Sequence, residues 1–266
     1  MRLRTSAWLV PGFVVAVLLP TPWFALIMGI IVALAGWEWA RLAGVVGSAS
    51  RVAAAAALAA VLLVLWITAA GITLLLPAVL WWLGLALALS RLQPRPAPAG
   101  VDRVLLPFGL LVLAAPWLAL VRLHGDFAGG PYLVLGLMLM IAVADSAAFF
   151  VGRRFGRRKL APRLSPGKTW AGFFGALAAA GLGLLFAGLV LGLGAAATAA
   201  LTLLGVVTVA VSVVGDLFES WLKRRQGVKD SGALLPGHGG VLDRIDSMTA
   251  AAPVFALGLV WLGLVQ

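Results

Sequence analysis

Apolar runs near twenty residues long recur along the chain, separated by short polar or proline-bearing stretches. Runs of this length cross the hydrocarbon core of a bilayer as helices. Nine spans are predicted, at roughly 7–20, 22–40, 52–69, 71–90, 104–121, 131–151, 170–191, 196–221 and 249–265. The first is short and holds Pro11, so the first two read as a tight pair. Between the fourth and fifth lies Gln93-Pro-Arg-Pro-Ala-Pro-Ala-Gly100, too rich in proline to be helical. No repeat of solenoid type is present. The expected fold is all-α, a polytopic transmembrane helical bundle of about nine spans.

Composition agrees. Of 266 residues, 63% are hydrophobic and 11% charged, with a mean hydropathy of +1.10. A soluble domain carries about 25% charged residues. Cysteine is absent, which excludes disulfide and thiolate chemistry. Arg2 and Arg4 before an apolar stretch resemble the start of a signal peptide. The small-residue cleavage site is missing, however, and Pro20-Thr-Pro22 stands in its place, so a retained helix is expected.

Charge placement orients the bundle. With the N-terminus cytoplasmic, 19 of the 20 Lys and Arg residues fall on the cytoplasmic side, and only Arg122 falls opposite. That is the positive-inside pattern. The net charge of +11 is then explained by loops facing anionic lipid and by an anionic substrate, with no nucleic acid. Both charge-rich loops, 152–169 and 222–248, lie on the cytoplasmic face of the C-terminal half. The opposite loops hold little beyond His124-Gly-Asp126. Residues 1–125 read as N-terminal transmembrane helices and 126–266 as the region that carries chemistry.

Of nine acids, Asp145, Asp216 and Glu219 stand out within or at the end of an apolar span. A carboxylate in hydrocarbon is costly unless paired, coordinated or wet, and so marks a functional site. Asp216, Ser220 and Lys223 recur at i, i+4 and i+7 and share one helix face. Asp243 and Asp246 share a face if the ninth helix begins there. The blander alternative is a set of helix-end salt bridges to the many arginines. Carboxylates near many cations, without cysteine, suit a hard ion such as Mg²⁺, which commonly arrives with a phosphate-bearing substrate. Gly237, Gly239 and Gly240 permit a turn whose backbone N–H groups meet an anion. Lys223, Arg224, Lys229 and Arg244 can neutralise phosphate oxygens. His238 can donate a hydrogen bond or move a proton, and its bland alternative is a surface histidine.

In the other loop, Ser165-Pro-Gly-Lys-Thr169 resembles the tail of a P-loop. The earlier glycine of that motif would fall at Pro162, and no apolar strand precedes it, so a P-loop is rejected. One reading is a polybasic segment holding lipid headgroups. The sharper one has Lys168 meeting a substrate phosphate, braced by Ser165 and Thr169.

The run Ser220-Trp-Leu-Lys-Arg-Arg-Gln-Gly-Val-Lys-Asp-Ser-Gly-Ala-Leu-Leu-Pro-Gly-His-Gly-Gly-Val-Leu-Asp-Arg-Ile-Asp246 resembles the signature of the phosphatidate cytidylyltransferases. That signature is S-x-x-K-R, then K-D, then P-G-H-G-G-x-x-D-R-x-D, and each fixed position is present. Asp145, Gly152-Arg-Arg-Phe-Gly156 and Ser165–Thr169 are similar to the family's second cytoplasmic block. Trp37-Glu-Trp-Ala-Arg-Leu-Ala-Gly44 is similar to its N-terminal part. One departure is Ala171, where many members have Glu, which argues against an indispensable carboxylate there.

The resemblance implies that CTP and phosphatidate give CDP-diacylglycerol and pyrophosphate at the cytoplasmic face of an inner, plasma membrane. It implies a metal centre on Asp216 and Asp243, with Mg²⁺ and a second cation, K⁺. Lys223, Arg224, Lys229 and His238 are expected on the CTP phosphates, with Lys168 and Ser165 as further phosphate contacts. Asp145, Asp230 and Asp246 are expected to position substrate, alongside Ser220, Gly239, Gly240 and Arg244. Arg153, Arg154, Arg157 and Arg158 are expected to attract membrane lipid. Gly188-x-x-x-Gly192 is compatible with close helix packing in a homodimer. The rivals are a CTP-dependent enzyme with another lipid phosphate acceptor and, from a different class, an ion-coupled transporter. Transporter sites usually sit near the midplane in broken helices, whereas these acids gather near one surface.

Overall fold

The computed structural model describes residues 11–88, 96–97, 100–235, 237 and 239–265. Among them a helix, α1, covers 11–18 and stops before Pro20. It is followed by α2 (Thr21–Leu42), α3 (Ser48–Ile67), α4 (Leu76–Ala88), α5 (Leu105–Asp126), α6 (Gly130–Phe155), α7 (Trp170–Val190), α8 (Ala195–Arg225) and α9 (Leu242–Trp261). Six of these, α2, α3, α5, α6, α7 and α8, are long and apolar enough to cross a membrane. The protein is a multi-pass helical membrane protein.

Helices α6, α7, α8 and α9 pack in sequence order, and α5 lies against both α2 and α9. Helix α9 is the interior element: Ala250, Ala251, Ala252 and Ala256 are fully buried. Its close approach to α8 depends on Gly215, where a Cβ would stand 2.7 Å from the Asp246 carbonyl oxygen and 3.0 Å from Ala250 Cβ. Phe218 of α8 meets Trp39, Trp81, Trp82 and Trp221 in an aromatic cluster that ties α8 to the N-terminal helices. Trp39 also donates from Nε1 to the Leu105 carbonyl at 2.9 Å, satisfying a buried polar group at the start of α5. Gly188 packs α7 onto Thr198 of α8, so its small size is used inside one chain.

Several boundaries differ from the expected spans. The fourth begins as a 3₁₀ turn, Ile72–Leu75, ahead of a shorter helix. The predicted loop 152–169 is partly ordered: α6 runs on to Phe155, and β1 (Lys159–Ala161) pairs antiparallel with β2 (Ser165–Thr169). Thr169 then caps α7, its Oγ1 accepting from the Gly172 N–H at 3.1 Å. Helix α8 continues past 221 to Arg225, which makes Lys223 and Arg224 helical. Helix α9 starts at Leu242, seven residues before the predicted 249, because polar groups of the protein itself satisfy its first N–H groups.

The end of α8 is clamped to the N-terminal half. Arg225 pairs with Asp102 at 2.9 Å and stacks over Trp221, and Gln226 donates to the Leu42 carbonyl at 2.8 Å. Asp102 also accepts from the backbone N–H groups of Leu105 and Val104 ahead of α5. The Leu105 hydrogen bond, with Arg225 beside it, holds the Asp102 carboxyl below its usual value. A depressed carboxylate stabilises the fold above its unfolded value of about 3.9, and that contribution disappears as the pH falls through the folded value. Asp102→Ala is therefore expected to cost about 1 kcal/mol at pH 7, a fall of about 2–4 °C in Tm. Thermal unfolding in detergent should show that gap narrowing below about pH 4.

Candidate functional site

The end of α8 and the start of α9 bring five titratable groups together, three of them (Lys223, Asp243 and Asp246) from the signature. Asp216, Glu219 and Lys223 project from one face of α8, as their spacing dictates. Asp243 and Asp246 lie on the first turns of α9, one turn apart. Lys223 Nζ bridges the helices, 2.5 Å from Glu219 Oε2 and 2.7 Å from Asp243 Oδ1. A sixth group enters from the hairpin: Lys168 of β2 reaches Asp216 Oδ2 at 2.6 Å. Ser220 Oγ donates to the other Asp216 oxygen at 3.4 Å. Asp246 faces Asp216, Lys168 and Lys223 electrostatically, and its Oδ1 accepts from the Ser247 N–H at 2.6 Å. Asp145 of α6 is exposed but interacts with Lys168 and Asp216 across the same opening.

The glycine-bearing connection folds onto this cluster. Asp243 Oδ2 accepts from the N–H groups of Gly240 at 2.7 Å and Ser231 at 3.0 Å. Gly239 has φ +80°, open to glycine at little cost, and a Cβ there would stand 2.7 Å from Asp243 Oδ2. The anions that these described N–H groups meet are thus the protein's own carboxylates.

The residue that organises the connection is Glu38 of α2, which is only 1% exposed. Its Oε2 accepts from Ser231 Oγ at 2.9 Å and from the Leu242 N–H at 2.8 Å, and its Oε1 accepts from the Val241 N–H at 3.1 Å. An acid from one helix thus caps another, where orphan N–H groups and the helix dipole favour a negative charge. Ser231, itself fully buried, joins the two carboxylates: its Oγ serves Glu38 and its N–H serves Asp243. The sequence reading singles out neither. For Glu38 the signal was available, since it is an acid at the end of the predicted span 22–40.

Other expected site residues sit further out. Arg224 donates to the carbonyls of Leu164 (3.4 Å) and Val228 (3.2 Å), tying the hairpin to the end of α8. Lys229, Asp230 and Arg244 are exposed around the opening. Ser165 starts β2 opposite Ala161, with no side-chain hydrogen bond to the acids among the described residues. His238 lies outside the described residues.

The donor set suits a hard cation. Asp216, Glu219, Asp243 and Asp246 carry four formal negative charges against two on Lys168 and Lys223. Glu219 Oε1 is buried without a hydrogen-bond partner among the described residues. Those residues contain no cage of three or more metal-binding side chains. Mg²⁺ commonly uses one or two carboxylates and completes its shell with substrate phosphates and water, so the arrangement fits that mode.

Fold and site together define a polytopic membrane protein with a carboxylate–lysine centre where two neighbouring helices end. Residues 1–262 match the Cytidylyltransferase family, and the chain belongs to it. It is 47% identical to a phosphatidate cytidylyltransferase of Pseudomonas aeruginosa, over 92% of this chain and 90% of that one. It is 39% identical to a phosphatidate cytidylyltransferase of Haemophilus influenzae, over 96% of both chains. A Brucella suis protein of the same name is 48% identical over 150 residues, 56% of this chain and 54% of that one.

Hydrogen bonds to a buried charge are worth about 1.5–3 kcal/mol each. Glu38→Gln keeps the shape but turns an amide N–H₂ toward backbone donors. Hydrogen exchange at the Val241 and Leu242 amides is expected to accelerate at least about tenfold in that variant, with the α5 amides unchanged.

Proposed function

We propose that this chain transfers the cytidylyl group of CTP to phosphatidate, giving CDP-diacylglycerol and pyrophosphate for phospholipid synthesis. The observation that carries this is the meeting of Lys223 and Asp243 of the signature with Glu219, and of Lys168 with Asp216 beside them, in a chain 47% identical to a phosphatidate cytidylyltransferase. A phosphate oxygen of phosphatidate forms the new bond to the α-phosphorus of CTP. The bond from that phosphorus to the β-bridging oxygen breaks, and pyrophosphate leaves with the electron pair. Such a transfer needs alignment and charge neutralisation more than a covalent enzyme intermediate.

Asp216 and Asp243 are the residues that would hold Mg²⁺, with K⁺ as the second cation of the same reading. A bound divalent ion supplies neutralisation of the entering and leaving oxygens. Lys223 and Lys168, each paired with a carboxylate, are placed to exchange that partner for a phosphate oxygen. Lys229, Arg224 and Arg244 at the rim, with His238 of the signature, serve the triphosphate and the departing pyrophosphate. Gly239 and Gly240 let the backbone pass close to Asp243, whose orientation the Gly240 and Ser231 N–H groups fix. Asp246, Asp145, Asp230, Ser220 and Ser165 position the substrates. The positive-inside distribution supports a centre on the cytoplasmic face, and in this reading the membrane is the inner, plasma membrane, where water-borne nucleotide and lipid headgroup meet.

Pyrophosphate release by the purified protein is expected to require CTP, phosphatidate and Mg²⁺ together. Asp243→Asn should lower it at least about a hundredfold while melting normally in detergent. Release independent of the lipid, or undiminished in the variant, would overturn this assignment.

A further inference from the structure

A second polar recess lies on the other side of Glu38 from the reaction centre. It is a cleft of about 220 Å³ between the end of α2, the start of α3 and the connection that follows α8. Trp37, Glu38, Arg41, Arg51 and residues 231–234 line it. Both arginines are half-buried. Arg51 spends its Nε–H on the Val45 carbonyl at 2.7 Å, which fixes the guanidinium in place. The Arg41 side chain makes no hydrogen bond or ion pair among the described residues.

Glu38 offsets only part of their charge. Its two oxygens are spent on Ser231, Val241 and Leu242, and neither arginine bonds to it. The lining of the cleft therefore carries two guanidinium charges against the single carboxylate of Glu38, an excess of one positive charge. Arginine forks suit phosphate oxygens, and two of them in one recess suit a phosphate group. Leu234 in its lining is 47% exposed, and Val52, next to Arg51 in the chain, is 55% exposed. Arg41 stands on the last turn of α2 and Arg51 on the first turn of α3, both helices long enough to cross a membrane. That puts the recess at the level of lipid headgroups.

We propose that the Arg41–Arg51 cleft is a docking site for the phosphate headgroup of an anionic membrane lipid, distinct from the carboxylate–lysine centre. Its occupant presses against the segment that Glu38 and Ser231 hold, and Ser231 passes that support directly to Asp243. A lipid bound there stabilises the connection from which the reaction centre is built.

The test omits CTP and divalent ions, so it can fail while the cytidylyl assignment stands, and the reverse. The protein in a neutral detergent is titrated with dioctanoyl phosphatidate, dioctanoyl phosphatidylcholine or inorganic phosphate, and its Tm is followed. Phosphatidate is expected to raise Tm saturably, and the other two are not. Arg41→Gln, which breaks no intramolecular hydrogen bond described above, and Arg41→Gln/Arg51→Gln should weaken the apparent affinity at least about tenfold. Arg122→Gln, the same loss of one charge near the far end of α5, should not. Equal titrations in wild type and the Arg41 variants would overturn the site. A shift of equal size with inorganic phosphate would overturn its assignment to lipid.

Discussion

A carboxylate buried in the bundle holds this site together. Glu38 cannot meet water, so its charge must be satisfied by the protein, and the donors available are those of a connection joining α8 to α9. The arrangement solves two costs at once. The first N–H groups of α9 would otherwise be orphans, and Glu38 would otherwise be an uncompensated charge. Because the acceptor stands on α2 and the donors open α9, the N-terminal helices fix where α9 begins. That beginning carries Asp243 and Asp246.

From there the position of each reactive group follows. Asp243 is set by the Gly240 and Ser231 N–H groups on one side and Lys223 on the other. Lys223 is set by Glu219 one turn back on its own helix, and the contact of α8 with α9 is set by Gly215. Lys168 comes from the hairpin, which Arg224 and the Thr169 cap anchor to α8 and α7. Helices provide the rigid frame, and short irregular pieces deliver only what must approach from the water side. Rigid elements hold a constellation more precisely than loops do.

Much of this could be read in the chain before any coordinates. Apolar runs of bilayer length and the one-sided basic residues mark the helices, because the bilayer leaves backbone few alternatives. The i, i+4, i+7 recurrence of Asp216, Ser220 and Lys223 marks the working face of α8. The hairpin was not legible: its strands are three and five residues long, basic, and without apolar alternation. Nor was the length of α9, since the predicted start follows hydropathy while the real start follows capping from a residue about 200 positions away. Glu38 shows how the two fail together. Local pattern cannot find the partner of a buried charge when that partner is brought near only by the tertiary fold.

The charge balance explains why the centre sits at helix ends instead of deeper in the bundle. Four carboxylates against two lysines would be prohibitive at the bilayer midplane, where no water screens the excess. Near the headgroups, where water reaches the carboxyl groups, the cluster is tolerable, and under the proposed function a divalent ion arriving with a polyphosphate would meet it there. Each lysine is held beside a carboxylate, so under the proposed function charge would rearrange over short distances when phosphate enters. Preorganisation of this kind is where electrostatic catalysis gets its advantage over water. The buried hydrogen bonds at Glu38 therefore matter to the proposed chemistry, because they hold the start of α9 where its acids face the lysines.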